Sequence, residues 1–289
     1  MLFGTAGTAL ELGPDDATTL GVGAVRIGLG VFVLWAAIAA SPRRASVPAA
    51  IRSNWALMAL GGVGVATYTP AFFAAVDRLG VAMGTVIAIG SGPFFAGALE
   101  SAWRGVRPSG AWLTGTMITV VGGALLIVAQ SGGESAELIR ADGIVFALLS
   151  GAGYALYSVT SKSTMARGVD STLALAAPFT VGTVIVAILA AGEPYDWLTT
   201  GSGLLMALHL GVVTTGIAYL TFGYGLHRLT TATAVTLVLA EPLTAALLAV
   251  VVLDESLTAL AWVGIVTLLA GLVVVGRNAT PDGAPAQSR

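Results

Sequence analysis

The chain has 289 residues, 56% of them hydrophobic and only 10% charged, with 38 glycines, no cysteine and a formal net charge of −2. Soluble domains carry roughly 25% charged residues, so the composition excludes a soluble single domain and makes lipid the main solvent. The small negative charge, with Arg and Lys scattered in ones and twos, excludes a nucleic-acid surface, and the missing cysteines exclude disulfides, thiolate metal sites and thiol nucleophiles.

The chain opens on an apolar stretch, Met1–Leu12, without the basic flank of a cleavable signal peptide. As a helix it is only about 18 Å long, against a hydrocarbon core of about 30 Å. It reads as the outer half of a first span, explained either by translation that starts upstream of Met1 or by a half-helix supported by its neighbours. Nine full spans follow, near Ala17–Ala40, Trp55–Val76, Gly80–Trp103, Ser109–Gln130, Asp142–Ser161, Leu173–Ala191, Gly203–Gly225, Leu229–Leu253 and Leu257–Gly276. The tail, Arg277–Arg289, is polar and is expected to be disordered.

Orientation follows from the basic residues, which favour the cytoplasm in short loops. With Ser41–Asn54 inside, Arg43, Arg44, Arg52, Arg104, Arg107, Lys162, Arg167, Arg228, Arg277 and Arg289 all fall inside, and only Arg78 and Arg140 outside. Ser46 and Ala286 are then cytoplasmic, while Ser135, Thr200 and the acids Glu134, Glu137, Asp254 and Glu255 are external. Five of the six tryptophans (Trp55, Trp103, Trp112, Trp197 and Trp262) fall near span ends, where an interfacial belt places them.

The halves match. A shift of 149 aligns Pro93 with Pro242, Gly115 with Gly264 and Gly122 with Gly271; a shift of 150 aligns Arg78-Leu79 with Arg228-Leu229; a shift of 146 aligns Gly7-x-Ala9-Leu10 with Gly153-x-Ala155-Leu156. Each unit then holds five spans, in residues 1–130 and 142–276. An odd number forces the second copy to insert upside down, an arrangement that places transporter sites near mid-bilayer at the repeat interface.

Leu239-Ala240-Glu241-Pro242, followed by Leu253-Asp254-Glu255-Ser256-Leu257 and Gly264-x6-Gly271, resembles the last two spans of EamA-type members of the drug/metabolite transporter superfamily. Arg26 in Ala24-Val25-Arg26 is similar to an arginine common in that family's second span. The first copy departs from the pattern, with Arg104-Gly105-Val106-Arg107 where an acid usually follows the fourth span. The resemblance implies an all-α, ten-helix bundle in the plasma membrane, both termini cytoplasmic, that exports amino acids or other small metabolites.

Glu241 sits twelve residues from each end of its span. A carboxylate there is costly and a functional candidate; the other reading is a structural acid held by a neighbouring hydroxyl or by Arg26. Arg26 either grips a substrate carboxylate, balances Glu241 or snorkels outward. Tyr68, Tyr154, Tyr157, Tyr219 and Tyr224 place hydroxyls within the spans, for ligand contact or for packing. Pro70, Pro93 and Pro242 are hinge candidates or plain packing residues. Glu100 and Arg104, four apart, read as a surface pair.

Gly151-Ala-Gly153 lacks the third glycine of a dinucleotide loop, and no P-loop or HExxH occurs, so no cofactor, metal or nucleotide drive is expected. The leading expectation is a secondary transporter that exports an amino-acid-like metabolite by alternating access, with proton antiport through Glu241 or facilitated diffusion past a static Glu241. A passive channel and a membrane enzyme are the rival classes. Gly80 and Gly84 suit packing either within one chain or between two copies in a homodimer.

Overall fold

A computed structural model describes residues 2–130, 140–252 and 256–279. Glu134, Ser135, Glu137, Asp254, Glu255 and the tail beyond Ala279, Ala286 included, lie outside the described residues. Every regular element described is helical: α1 (Thr5–Glu11, after a 3-10 turn at Leu2–Gly4), α2 (Thr19–Ala40), α3 (Val47–Arg104), α4 (Gly110–Gln130), α5 (Ala141–Ala166), α6 (Ser171–Leu189), α7 (Gly201–Leu208), a π-helical segment (His209–Ile217), α8 (Ala218–Arg228), α9 (Thr231–Val238), α10 (Glu241–Val252) and α11 (Ala259–Arg277). Among the described residues, nine stretches are long and apolar enough to cross a membrane, matching the nine spans read from the sequence to within a few residues at most ends.

Local chemistry sets the ends. Thr18, Thr200, Thr230 and Thr258 each accept a backbone N–H three residues on, and Asp170 accepts one two residues on, so α2, α7, α9, α11 and α6 start on side-chain caps. Pro42 stops α2 by holding Ser41 extended. The helix α3 contains two antiparallel spans that reverse at Gly80, where φ is 77° and ψ 161°. A Cβ on Gly84 would lie 3.0 Å from the Val76 backbone, so the arms fold back on each other with no loop between them. The Gly80 and Gly84 pair therefore serves packing within the chain.

Glycine brings backbones together at three crossings. Against α5, a Cβ on Gly64 would meet the Gly153 carbonyl at 2.6 Å and one on Gly153 the Gly64 carbonyl at 2.9 Å. Between α4 and α11 the contacts are reciprocal: a Cβ on Gly271 would meet the Gly115 carbonyl at 2.8 Å, and one on Gly264 the Gly122 carbonyl at 3.0 Å. The third crossing sets Gly30 of α2 against Thr215 of the π segment. The outside of the bundle is apolar, with Ile188, Leu205, Val251 and Val266 exposed, as lipid contact requires.

The tryptophan belt is smaller than expected. Trp55, Trp103 and Trp262 are exposed, whereas Trp112 and Trp197 are buried. Trp112 donates from Nε1 to Thr236 Oγ1 at 3.1 Å, and the Trp197 ring packs with Ala6, Val22 and Met206. Position along the chain cannot separate a ring that faces the interface from one turned into the bundle.

Alanine at Gly271 would collide with backbone atoms of Thr119 and Gly115, while Gly276 has open space. Gly271→Ala is expected to cost about 1–3 kcal/mol, read as a lower melting temperature in detergent, and Gly276→Ala nothing measurable.

Candidate functional site

Two interruptions of regular helix both pack against the turn that precedes α1. In the first, the π segment, Thr215 Oγ1 donates to the Leu210 carbonyl five residues back at 2.9 Å, and Thr214 Oγ1 reaches the same carbonyl at 2.7 Å. Single π turns inside α-helices commonly mark functional positions. Here the widened turn presents Thr215 to α2, and its hydroxyl accepts a hydrogen bond from Arg26 Nε at 3.0 Å.

The second interruption lies between α9 and α10. Leu239 and Ala240 donate to the Thr236 and Leu237 carbonyls at 3.0 and 3.2 Å, closing a turn. The helix restarts at Glu241-Pro242, where proline has no N–H to offer the preceding turn. Glu241 thus occupies the first turn of α10, where the helix dipole favours a carboxylate. The turn before α1 packs here too: a Cβ on Gly4 would meet the Glu241 carbonyl at 2.6 Å.

Arg26 and Tyr154 both lie within electrostatic reach of Glu241. Arg26 and Glu241 nonetheless form no ion pair within 4.0 Å, and among the described residues the Glu241 carboxyl accepts no hydrogen bond. The reading in which Arg26 or a hydroxyl holds Glu241 as a structural acid is therefore not what the side chains do.

An aromatic cluster fills the rest of the site. Tyr154 lies edge-on to Tyr68 (centroids 5.8 Å apart) and beside Tyr157 (6.1 Å) and Phe222 (6.3 Å). Tyr219 contacts Phe179 (4.5 Å), Phe222 (5.9 Å), Tyr157 (6.1 Å) and Phe3 (5.1 Å). These spacings suit edge-to-face contacts. Among the described residues, the Tyr154 and Tyr157 hydroxyls are buried without a hydrogen-bond partner, a costly state for a polar group. An apolar cavity of about 210 Å³, lined by Phe3, Phe222 and Val238 among others, adjoins the cluster.

Four of the tyrosines singled out from the sequence are thus together. Tyr224 stands apart, exposed and stacked under the Arg228 guanidinium at 3.5 Å. Pro70 lies two residues from Tyr68, and Pro93 follows Gly92, whose missing side chain leaves the space beside Val235 and Tyr154. Of the three prolines, Pro242 alone adjoins a break in its helix; α3 runs through Pro70 and Pro93, and its irregular residue is Gly80.

Sequence reading missed two buried charges. Glu100 is 1% exposed, not a surface residue. Its Oε1 accepts from the Thr231 amide (2.9 Å), the Thr231 hydroxyl (2.7 Å) and Arg104 (2.8 Å), and its Oε2 from the Ala232 amide (3.1 Å). It caps α9 from α3. Lys162, also 1% exposed, donates to the Leu226 and His227 carbonyls at 2.7 and 3.0 Å and so closes the end of α8. A signal for Lys162 was present: Ser158, Thr160, Ser161, Ser163 and Thr164 surround it, and a helix polar on every face cannot turn any of them to lipid.

Removing one partner of a buried charged network costs about 3–5 kcal/mol. Glu100→Ala is expected to lower thermal stability in detergent by that order, while exposed Arg52→Ala leaves it unchanged.

The EamA-like transporter family model matches residues 141–277. The chain is similar to the uncharacterized transporter YwfM of Bacillus subtilis (strain 168), 37% identical over 277 residues, covering 94% of this chain and 89% of that protein. An uncharacterized transporter of Clostridium kluyveri is 25% identical over 213 residues, covering 72% of this chain and 64% of the relative. A chain of known crystal structure shares the fold, with a TM-score of 0.80 and 23% identity over 96% of this chain and 93% of the other.

Proposed function

The chain belongs to the EamA-like transporter family, a family of transporters and not of enzymes, and from that premise we propose that it exports small amino-acid-like zwitterions by alternating access. The observation that carries this reading is that Arg26 and Glu241 lie within electrostatic reach of each other without forming an ion pair, with Tyr154 of the aromatic cluster near Glu241. A guanidinium binds a carboxylate bidentately. A carboxylate and aromatic faces together suit an ammonium. A zwitterion would complete both half-satisfied charges, and the orphan Tyr154 and Tyr157 hydroxyls would supply further hydrogen bonds.

The transport cycle proposed here rocks two inverted five-helix repeats, in residues 1–130 and 142–276, against each other around this site. Supporting the inverted relation are the reciprocal glycine contacts of α4 with α11, which exchange Gly115 with Gly264 and Gly122 with Gly271. The aligned Arg78-Leu79 and Arg228-Leu229 also each precede a tight reversal, at Gly80 and at the α8 to α9 turn. Pro242 and the break before it are the natural hinge. Export is coupled to protons at Glu241, and the protein sits in the plasma membrane with the basic loops and C-terminus in the cytoplasm.

Three measurements test this. Everted vesicles that carry the wild type should take up amino acids saturably and with counterflow; flux linear in concentration and without exchange would indicate a channel instead. Glu241→Gln should fold yet lose its response to a pH gradient, and Arg26→Lys should raise the half-saturating concentration. Because the two charges do not touch, Arg26→Leu with Glu241→Leu should be no more active than either single change; recovery of transport in the double variant would make the pair structural. For orientation, an impermeant thiol reagent applied to intact cells should label Ala191→Cys and spare Ala45→Cys, and the reverse pattern would invert the topology.

A further inference from the structure

A second cavity, of about 400 Å³ and partly polar, lies where the last turn of α2, the first turns of α3 and α6 and the α5 to α6 turn meet. On the topology proposed above, this is the cytoplasmic end of the bundle. Three guanidiniums line it, from Arg43, Arg44 and Arg167, with a single carboxylate, Asp170.

Asp170 is fully engaged. Its Oδ1 accepts the Thr172 amide at 2.9 Å, capping α6, and its Oδ2 pairs with Arg43 at 3.2 Å. Arg44 bonds the Ala39 carbonyl at 3.3 Å, and Arg167 reaches Asn54 Oδ1 at 3.4 Å. Among the described residues neither has a carboxylate partner. Two positive charges are thus left uncompensated around a cavity large enough for a small ligand, whose wall also offers the Ser53 hydroxyl.

The cavity floor is apolar, formed by Ile38, Val169 and Leu173. Trp55, one residue after Asn54, is 66% exposed, as an aromatic ring at the headgroup level is. Polar above and apolar below, at the ends of three spans, the cavity has the build of the basic pockets that take lipid headgroups between membrane helices.

We propose that this cavity binds a phosphate oxyanion, with Arg44 and Arg167 as its ligands, and that the anion is the headgroup of an acidic phospholipid. Because Arg44 comes from the α2 to α3 connection and Arg167 from the α5 to α6 connection, a bound anion would tie one half of the chain to the other.

The test is thermal unfolding of the full-length protein in a zwitterionic detergent, titrated with phosphatidylglycerol, phosphatidylcholine or inorganic phosphate. Phosphatidylglycerol should raise the melting temperature of the wild type saturably, and phosphatidylcholine should not. Arg44→Gln with Arg167→Gln, two exposed residues whose loss spares the core, should abolish the shift. Arg52→Gln, which removes an equally exposed charge outside the cavity, should retain it. A shift with inorganic phosphate as large as that with the lipid, lost in the double variant, would support the oxyanion site but assign it to a soluble ligand. No shift with either, or a shift that survives in the double variant or vanishes in Arg52→Gln, would overturn the proposal.

Discussion

No water reaches the hydrocarbon of a bilayer, so every backbone N–H and C=O that a broken helix releases must find its partner inside the protein. Two breaks in regular helix show how that is met. At the π segment the threonine hydroxyls bond Leu210; at Leu239-Ala240 the chain closes its own turn onto Thr236 and Leu237. These breaks deliver Thr215 with its bound Arg26, and Glu241, to one region. The irregularity is what lets charged groups stand at mid-span.

The same constraint explains the composition. In lipid the association of helices gains little from apolar burial, so close backbone packing takes over and small residues line the interfaces. The glycine crossings of α3 with α5, α2 with the π segment and α4 with α11 are its expression. Buried hydroxyls answer backbone carbonyls one turn back, as Ser158, Thr160, Ser163 and Thr164 do on α5.

The spans were legible because hydropathy and length report them directly, and the family resemblance because Leu239-Ala240-Glu241-Pro242 and its glycine spacing are local. Arg26, Glu241 and four tyrosines were legible as candidates through chemical cost: each is expensive in lipid unless used. Their mutual arrangement was not legible. Whether Arg26 touches Glu241 depends on where α2 meets the π segment, a crossing set by Gly30 and Gly211 across nearly two hundred residues of chain. Glu100 was misread for a related reason: an i,i+4 acid and base pair looks the same on a surface as at a buried contact with a third helix.

Glu100 and Lys162 also separate the two irregular joints of the second half. At the α8 to α9 turn, a buried acid meets the N-terminus of α9 and a buried base meets the last carbonyls of α8, each with the sign that the helix dipole favours. Both charges come from other helices, α3 and α5, so this turn is fixed from outside itself. The break before Glu241 is held differently: the carbonyls it uses belong to its own chain, and Thr244 bonds only the Ala240 carbonyl within the same turn. A joint closed by its own backbone can change its angle without uncovering a charge, whereas opening the α8 to α9 turn would strand Glu100 in the core. The cost of moving the two joints therefore differs by the burial of an ion, and it is this difference that supports the joint before Glu241 as the hinge in the transport cycle proposed above.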